Sequence, residues 1–238
     1  MAKTRKDQIS TIRTLIIVAV VVLVGGVLTW GVLYSTGVTE GSEIVEGTHY
    51  RTIENPPRRR PGDPIVVTEF FSYGCIHCKN FDPVISEWAA NLPEGAEFRR
   101  SPVSFSPAWL VLAQAYLALE KSTALEQNHE RIFRAVHDAR RSFDTVDSIA
   151  EFVAGNGITR EEFMTALNSS STRRQLSMSE TAQRRFSIAS IPALVVGDTY
   201  VINMDIGRLE ALEVASKLIA QMQAEGPSPT DQPAVDAT

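Results

Sequence analysis

The stretch 70-FFSYGCIHCKNFDP-83 contains both cysteines of this 238-residue chain, Cys75 and Cys78. A structural disulfide stabilises mainly by closing a loop, and its effect grows with loop length. A bridge between Cys75 and Cys78 closes almost none. The pair therefore reads as a reactive dithiol. On its N-terminal side lies 65-IVVTEFF-71, a near-continuous β-branched and aromatic run that predicts an interior strand. On its C-terminal side a helix is expected from the first cysteine to about Asn91, with a kink at Pro83.

Working outward, 49-HYRTIE-54 predicts an edge strand, followed by a loop in NPPRRRPGDP, where prolines and glycine break regular structure. A second core strand is predicted in 96-AEFRRSPV-103. From about 106 to 187 the texture is helical. Ser106-Pro107 reads as an N-cap followed by proline at the first helical position. Leu125, Ile132, Phe133 and Val136 mark one face of the next helix. Thr159 with Glu162 forms a capping box for a third, and another is expected over 172–186. Strands return in ALVV and TYVIN, joined through Gly197-Asp198, a pair expected to form a type II′ turn. Asp205 is expected to cap a last helix with Leu209, Leu212, Ala215, Ile219 and Met222 along one stripe.

The first fifty residues have another character. Residues 15–33, LIIVAVVVLVGGVLTWGVL, carry no charge, and 13 of the 19 are Leu, Ile or Val. At ~1.5 Å per residue such a helix nearly matches the ~30 Å hydrocarbon layer. A cleaved signal peptide has a shorter apolar region of about 7–15 residues and a small-residue cleavage site, absent here. Lys3, Arg5, Lys6 and Arg13 precede the run, and no Lys or Arg recurs until Arg51. The expected organisation is a cytoplasmic N-terminus (1–13), a transmembrane anchor (14–34) and a polar tether (35–47). An extracytoplasmic domain (48–224) and a disordered, proline-containing tail (225–238) follow. In a bacterium the domain would face the periplasm, from a single pass through the inner membrane, where disulfide chemistry is possible.

A net charge of -5 and a pI near 5.5 argue against nucleic acid as a partner. The arginine pairs, Arg99-Arg100 among them, read as solvated faces. Zinc needs four ligands, and there is no second cysteine pair and no ligand-like spacing among His49, His129 and His137. No metal and no cofactor beyond the dithiol is expected. His129 and His137 read as surface or boundary residues, and Lys79 and Asp82 as surface charges near the motif.

The order strand, strand, helix, strand, helices, hairpin, helix, with C-x-x-C opening the first helix, resembles a thioredoxin-like α/β fold with an inserted helical subdomain. The stretch TEFFSYGCIHCKNFDPVI together with the downstream SIPALVVG is similar to the DsbA-like family of thiol–disulfide oxidoreductases. From the residues themselves, Cys75 at a helix start is placed where backbone N–H groups and the helix dipole stabilise a thiolate. His77 adds a donor or a positive charge. Favouring the thiolate favours the reduced form, which makes the disulfide more oxidising. Glu69, inside the most apolar strand, should have a raised pKa unless it reaches water at the strand end.

The resemblance adds expectations. Glu69 would relay the proton of Cys78. Ile191–Pro192 would be a cis peptide facing the motif, binding extended substrate by strand addition. Ile76 stands where family oxidases often carry proline. The implied activity is disulfide donation to unfolded or folding exported proteins, with reoxidation by an integral membrane, quinone-linked partner. Two alternatives stay open: a reductase or isomerase of the same fold, and a non-catalytic chaperone-like binding module.

Overall fold

A computed structural model describes residues 15–27 and 43–226. Residues 15–27 form a helix, α1, with exposed side chains. Among the described residues no helix is long and apolar enough to cross a membrane. The expected span of 14–34 lies only partly within them; the expected cytoplasmic segment, most of the tether and nearly all of the tail lie outside.

The unit that begins at Ile44 is built on a five-stranded sheet in the order β1-β5-β4-β2-β3. Its elements are β1 (Tyr50–Thr52), β2 (Ile65–Phe71), α2 (Ile76–Ala90), β3 (Ala96–Pro102), α3 (Pro107–Lys121), α4 (Leu125–His137), α5 (Val146–Val153), α6 (Arg160–Leu167), α7 (Ser170–Arg185), β4 (Ala193–Val196), β5 (Tyr200–Ile202) and α8 (Arg208–Glu225). A 3₁₀ turn, Met204–Ile206, precedes α8. Strands β2 and β3 are parallel, joined by the crossover helix α2, while β4 runs antiparallel to both β2 and β5. This is a thioredoxin-like sheet with α3–α7 inserted between β3 and β4.

Side chains alternate across a strand, and β2 uses both faces. Ile65 and Val67 pack with Phe81 and Ile85 of α2 and Leu212, Ala215 and Leu218 of α8. Phe70 faces the other way, with Val195, Val201, Phe186 and Ile188. A third cluster fills the insertion and reaches the motif itself: Phe71, Tyr73, Cys75 and Cys78 pack with Tyr116, Ile132, Phe133 and Phe163.

Several caps form as expected. The Ser106 hydroxyl accepts from the Trp109 amide at 3.3 Å with Pro107 at the first helical position, and Thr159 and Glu162 form the capping box. Helix α2 is continuous through Pro83. Three expectations are corrected and one helix is added. The β4–β5 turn has both Gly197 (φ 59°) and Asp198 (φ 52°) at positive φ, the sign pattern of a type I′ turn. Asp tolerates that conformation, and a Cβ at Gly197 would lie 2.3 Å from Met222 Cε. Asp205 does not cap α8; it sits in the 3₁₀ turn, and Gly207 precedes the helix without a side-chain cap. Leu209 is 70% exposed, so the buried stripe of α8 starts at Ala211 and Leu212. Helix α5, capped by the Thr145 hydroxyl on Ser148 N–H, was not assigned from the sequence; its cap was the available signal.

Candidate active site

Strand β2 stops at Phe71, and a short turn follows, in which the Cys75 amide donates to Ser72 O at 3.0 Å. Cys75 then acts as the N-cap of α2: its sulfur accepts from the Cys78 amide at 3.4 Å. A helix N-terminus leaves backbone donors free, and here a sulfur takes one of them. Gly74 is required by packing, because a Cβ there would fall 2.4 Å from Trp109 Nε1.

Cys75 is more enclosed than its place at a helix start suggests, at 7% exposure, while Cys78 is at 1%. The cysteines are unbridged in this structure. The hydrogen bond from the Cys78 thiol, helped by the backbone amides of Cys78 and His77 and by the His77 side chain, outweighs burial and brings the Cys75 thiol down to about 6. The same hydrogen bond, then burial, the Cys75 charge and nearby Glu69, push Cys78 far above an ordinary thiol. One sulfur is thus prepared to be a thiolate and the other to hold its proton.

Glu69 does not reach water. It is 1% exposed, on the β2 face that α2 covers, and burial pushes its carboxyl up to about 7 against the opposing pull of Arg100. Arg100 is its register partner on β3, and Arg100 Nε donates to Glu69 Oε2 at 3.0 Å. Register also splits the Arg99-Arg100 pair: Arg99 opposes Thr68 and is 62% exposed, whereas Arg100 is enclosed at 14%. The reading of both arginines as solvated is therefore corrected for Arg100.

Asp82, one turn beyond the motif, is not a plain surface charge. Its Oδ1 accepts from Arg100 Nη2 at 2.8 Å and from His129 Nε2 at 2.9 Å. Burial raises its proton affinity, but the His129 and Arg100 contacts outweigh that and hold it below the usual carboxylate range. Of the surface or boundary placement expected for His129, the boundary one holds, at 12% exposure: its Nδ1 lies 2.8 Å from the Tyr73 hydroxyl. His137 Nε2 donates to Tyr73 O at 2.8 Å. Lys79 pairs with Asp138, just after α4.

The Ile191–Pro192 bond is cis. The Cys75 thiol points at Ile191 O, 3.7 Å away, so two stretches 116 residues apart meet at one sulfur. Cys75, Cys78 and Ile191 are thus directly in contact or adjacent; His77 is exposed beside Cys75, and Glu69 lies beneath the pair. Sequence reading missed Tyr73, Arg100, Trp109 and His129. Arg100 had one available signal: a strand–helix–strand order implies a parallel crossover that can set its strand beside that of Glu69. Among the described residues no cluster of ligands suits a metal.

The sequence profile of the DSBA-like thioredoxin domain matches residues 66–216. The chain belongs to this family. It is 33% identical to the thiol:disulfide interchange protein DsbA of Azotobacter vinelandii, over 84% of this chain and 96% of that protein. It is 31% identical to the protein of the same name from Pseudomonas aeruginosa, over 78% of this chain and 89% of that protein. The crystal structure of Pseudomonas aeruginosa DsbA superposes with a TM-score of 0.72 at 30% identity, covering 76% of this chain and 95% of that chain. As a DsbA-like domain with these relatives, the chain is a disulfide oxidoreductase.

Proposed function

We propose that the protein is a membrane-tethered oxidase that passes a Cys75–Cys78 disulfide to exported proteins as they fold. The observation that carries this reading is the asymmetry of the two sulfurs. Cys75 has its thiol held to about 6, and Cys78 has its own pushed far up. A stabilised Cys75 thiolate favours the reduced protein, and therefore a disulfide that is readily given away.

In the reaction a substrate thiolate attacks Cys75 Sγ. A substrate–Cys75 bond forms, the Cys75–Cys78 bond breaks, and the departing Cys78 sulfur takes a proton. Glu69, near enough to disfavour the Cys78 thiolate and protonated around neutrality, supplies that proton. The substrate's second thiolate then attacks the mixed disulfide and releases Cys75 as a thiolate. His77 assists that thiolate. Backbone groups at Ile191 and Pro192 hold the substrate strand in register with Cys75.

The hydrophobic run, expected to span 14–34, anchors the domain on the periplasmic side of the inner membrane, and the one-sided Lys/Arg flank gives the orientation. The reduced protein passes its electrons to an integral membrane, quinone-linked partner. Titration of the full chain against glutathione tests the direction. An oxidising potential, with the cysteines mainly oxidised in cells by thiol trapping, agrees with donation. A mainly reduced steady state would assign the protein to reduction or isomerisation.

A further inference from the structure

Beside its apolar contacts with the dithiol, the insertion bonds one histidine, His129 of α4, to the charged chain of Asp82, Arg100 and Glu69. We propose that His129 is a positioning residue for disulfide exchange: by holding Asp82 it keeps Arg100 turned to Glu69, the buried acid beneath Cys78. This rests on the reading of Glu69 as the proton donor to Cys78.

The polarity of the chain follows from which atoms can donate. Asp82, held as a carboxylate, only accepts, so His129 Nε2 carries the hydrogen directed at it. The buried Tyr73 phenol keeps its proton and donates to His129 Nδ1. Arg100 is divided between two carboxylates, with Nε on Glu69 Oε2 and Nη2 on Asp82 Oδ1; Nη2 also meets Ser86 Oγ at 2.9 Å. Asp82 Oδ1 therefore shares its negative charge between a guanidinium and an imidazole N–H.

Without the imidazole, Asp82 is left with Arg100 as its only ionic partner. The guanidinium is drawn toward Asp82 and away from Glu69. Glu69 is completely desolvated and depends on Arg100 to favour its charged form, so it holds its proton more tightly. Loss of Asp82 does the reverse, giving Arg100 wholly to Glu69 and removing a nearby negative charge.

The other titratable groups facing this cluster are Cys75 at the N-cap of α2, Cys78 of α2, and Tyr116 and Glu120 of α3, where the Tyr116 hydroxyl donates to Glu120 Oε1 at 3.1 Å. None of these bridges Asp82, which leaves His129, among the described residues, as the one residue of the insertion bonded to the acid–arginine chain. Its ring is fixed by Phe71, Tyr73, Tyr116 and Phe133, with centroids 5.2–6.3 Å away.

The test uses the oxidised full chain and glutathione. The rate of mixed-disulfide formation is followed against pH and divided by the glutathione thiolate fraction, leaving the inflection at which Glu69 loses its proton. His129→Phe should move that inflection up, on the order of one pH unit. Asp82→Asn should move it down, and the double variant should match Asp82→Asn, because His129 acts only through Asp82. Opposite signs and this epistasis are not produced by a general loosening of the fold. Should His129→Phe fail to fold, His129→Asn, whose amide stops short of Asp82, should give the same upward shift. An unmoved inflection in the His129 variants, or a double variant shifted up from Asp82→Asn, overturns the proposal. Glu69→Gln separates the two ideas. An inflection that survives it overturns the Glu69 reading itself, whereas its loss together with unmoved His129 variants overturns only the role of His129.

Discussion

The Cys78 backbone amide donates to the Cys75 sulfur at 3.4 Å, so the first cysteine of the motif caps the helix that carries the second. The helix end thereby favours negative charge on one sulfur, while the hydrogen bond to Cys75, burial and the Cys75 charge keep the proton on the other against a backbone hydrogen bond from Ser72.

A pH-dependent stability of the reduced protein follows. Cys75 is lowered from 9.0 to about 6. Between those values the unfolded chain binds a proton that the native state does not, so reduced-state stability rises with pH across that window and the gain is lost as pH falls through 6. The slope approaches about 1.4 kcal/mol per pH unit at most. Cys78, shifted upward, opposes this only above about 9. Denaturant midpoints of reduced and oxidised protein should therefore diverge, in favour of the reduced form, as pH is raised from 6 to 8.

Glu69 acts in the other direction. Its carboxyl is raised from 4.5 to about 7, so stability fully present below 4.5 is lost as pH rises through 7. Glu69→Gln should stabilise the domain at pH 8, on the order of 2 kcal/mol, and much less at pH 5. Denaturation at both pH values checks this; a variant equally destabilised at both would mean that the Arg100 pairing outweighs the cost of burial.

Gly74→Ala should be harmful although φ at this position is not in the left-handed region. Its Cβ would lie 2.4 Å from the Trp109 indole. Overpacking of this kind costs about 1–3 kcal/mol, and here it displaces the loop that bears Cys75. Both a lower melting temperature and slower exchange are expected. Trp109→Ala in the same chain should recover part of the exchange rate by vacating the space.

Cys75→Ala should abolish disulfide transfer, whereas Cys78→Ala should accumulate mixed disulfides with substrates, because the Cys78 sulfur, at 1% exposure, is the one that releases chains trapped on Cys75 when the substrate's own second thiol does not. Non-reducing electrophoresis of each variant from cells distinguishes the two. Equal trapping by both would remove the assigned order of attack.

Protease added to spheroplasts should digest the domain and leave a fragment containing residues 14–34. This expectation rests on the charge-free run and its basic N-terminal flank. A domain protected in intact spheroplasts would reverse it, and a mature N-terminus after residue 34 would show cleavage.

The sequence by itself determined the strand IVVTEFF, the helix that Cys75 opens, the Ser106 and Thr159 caps and the special status of the dithiol. All of these are local: side-chain shape, capping oxygens and spacing act within a few residues, so they are legible in order along the chain. Tertiary structure alone decided which charges are enclosed. Arg99 and Arg100 are neighbours of one residue type, yet the β2–β3 register places Arg100 against Glu69 and Arg99 toward solvent. His129 read as a surface or boundary residue without a role because its partners, Tyr73 and Asp82, lie 56 and 47 residues away. Trp109 likewise gave no sign that it rests on Gly74. Burial depends on what distant segments bring to the same place, and an ionisable group acquires its proton affinity only there.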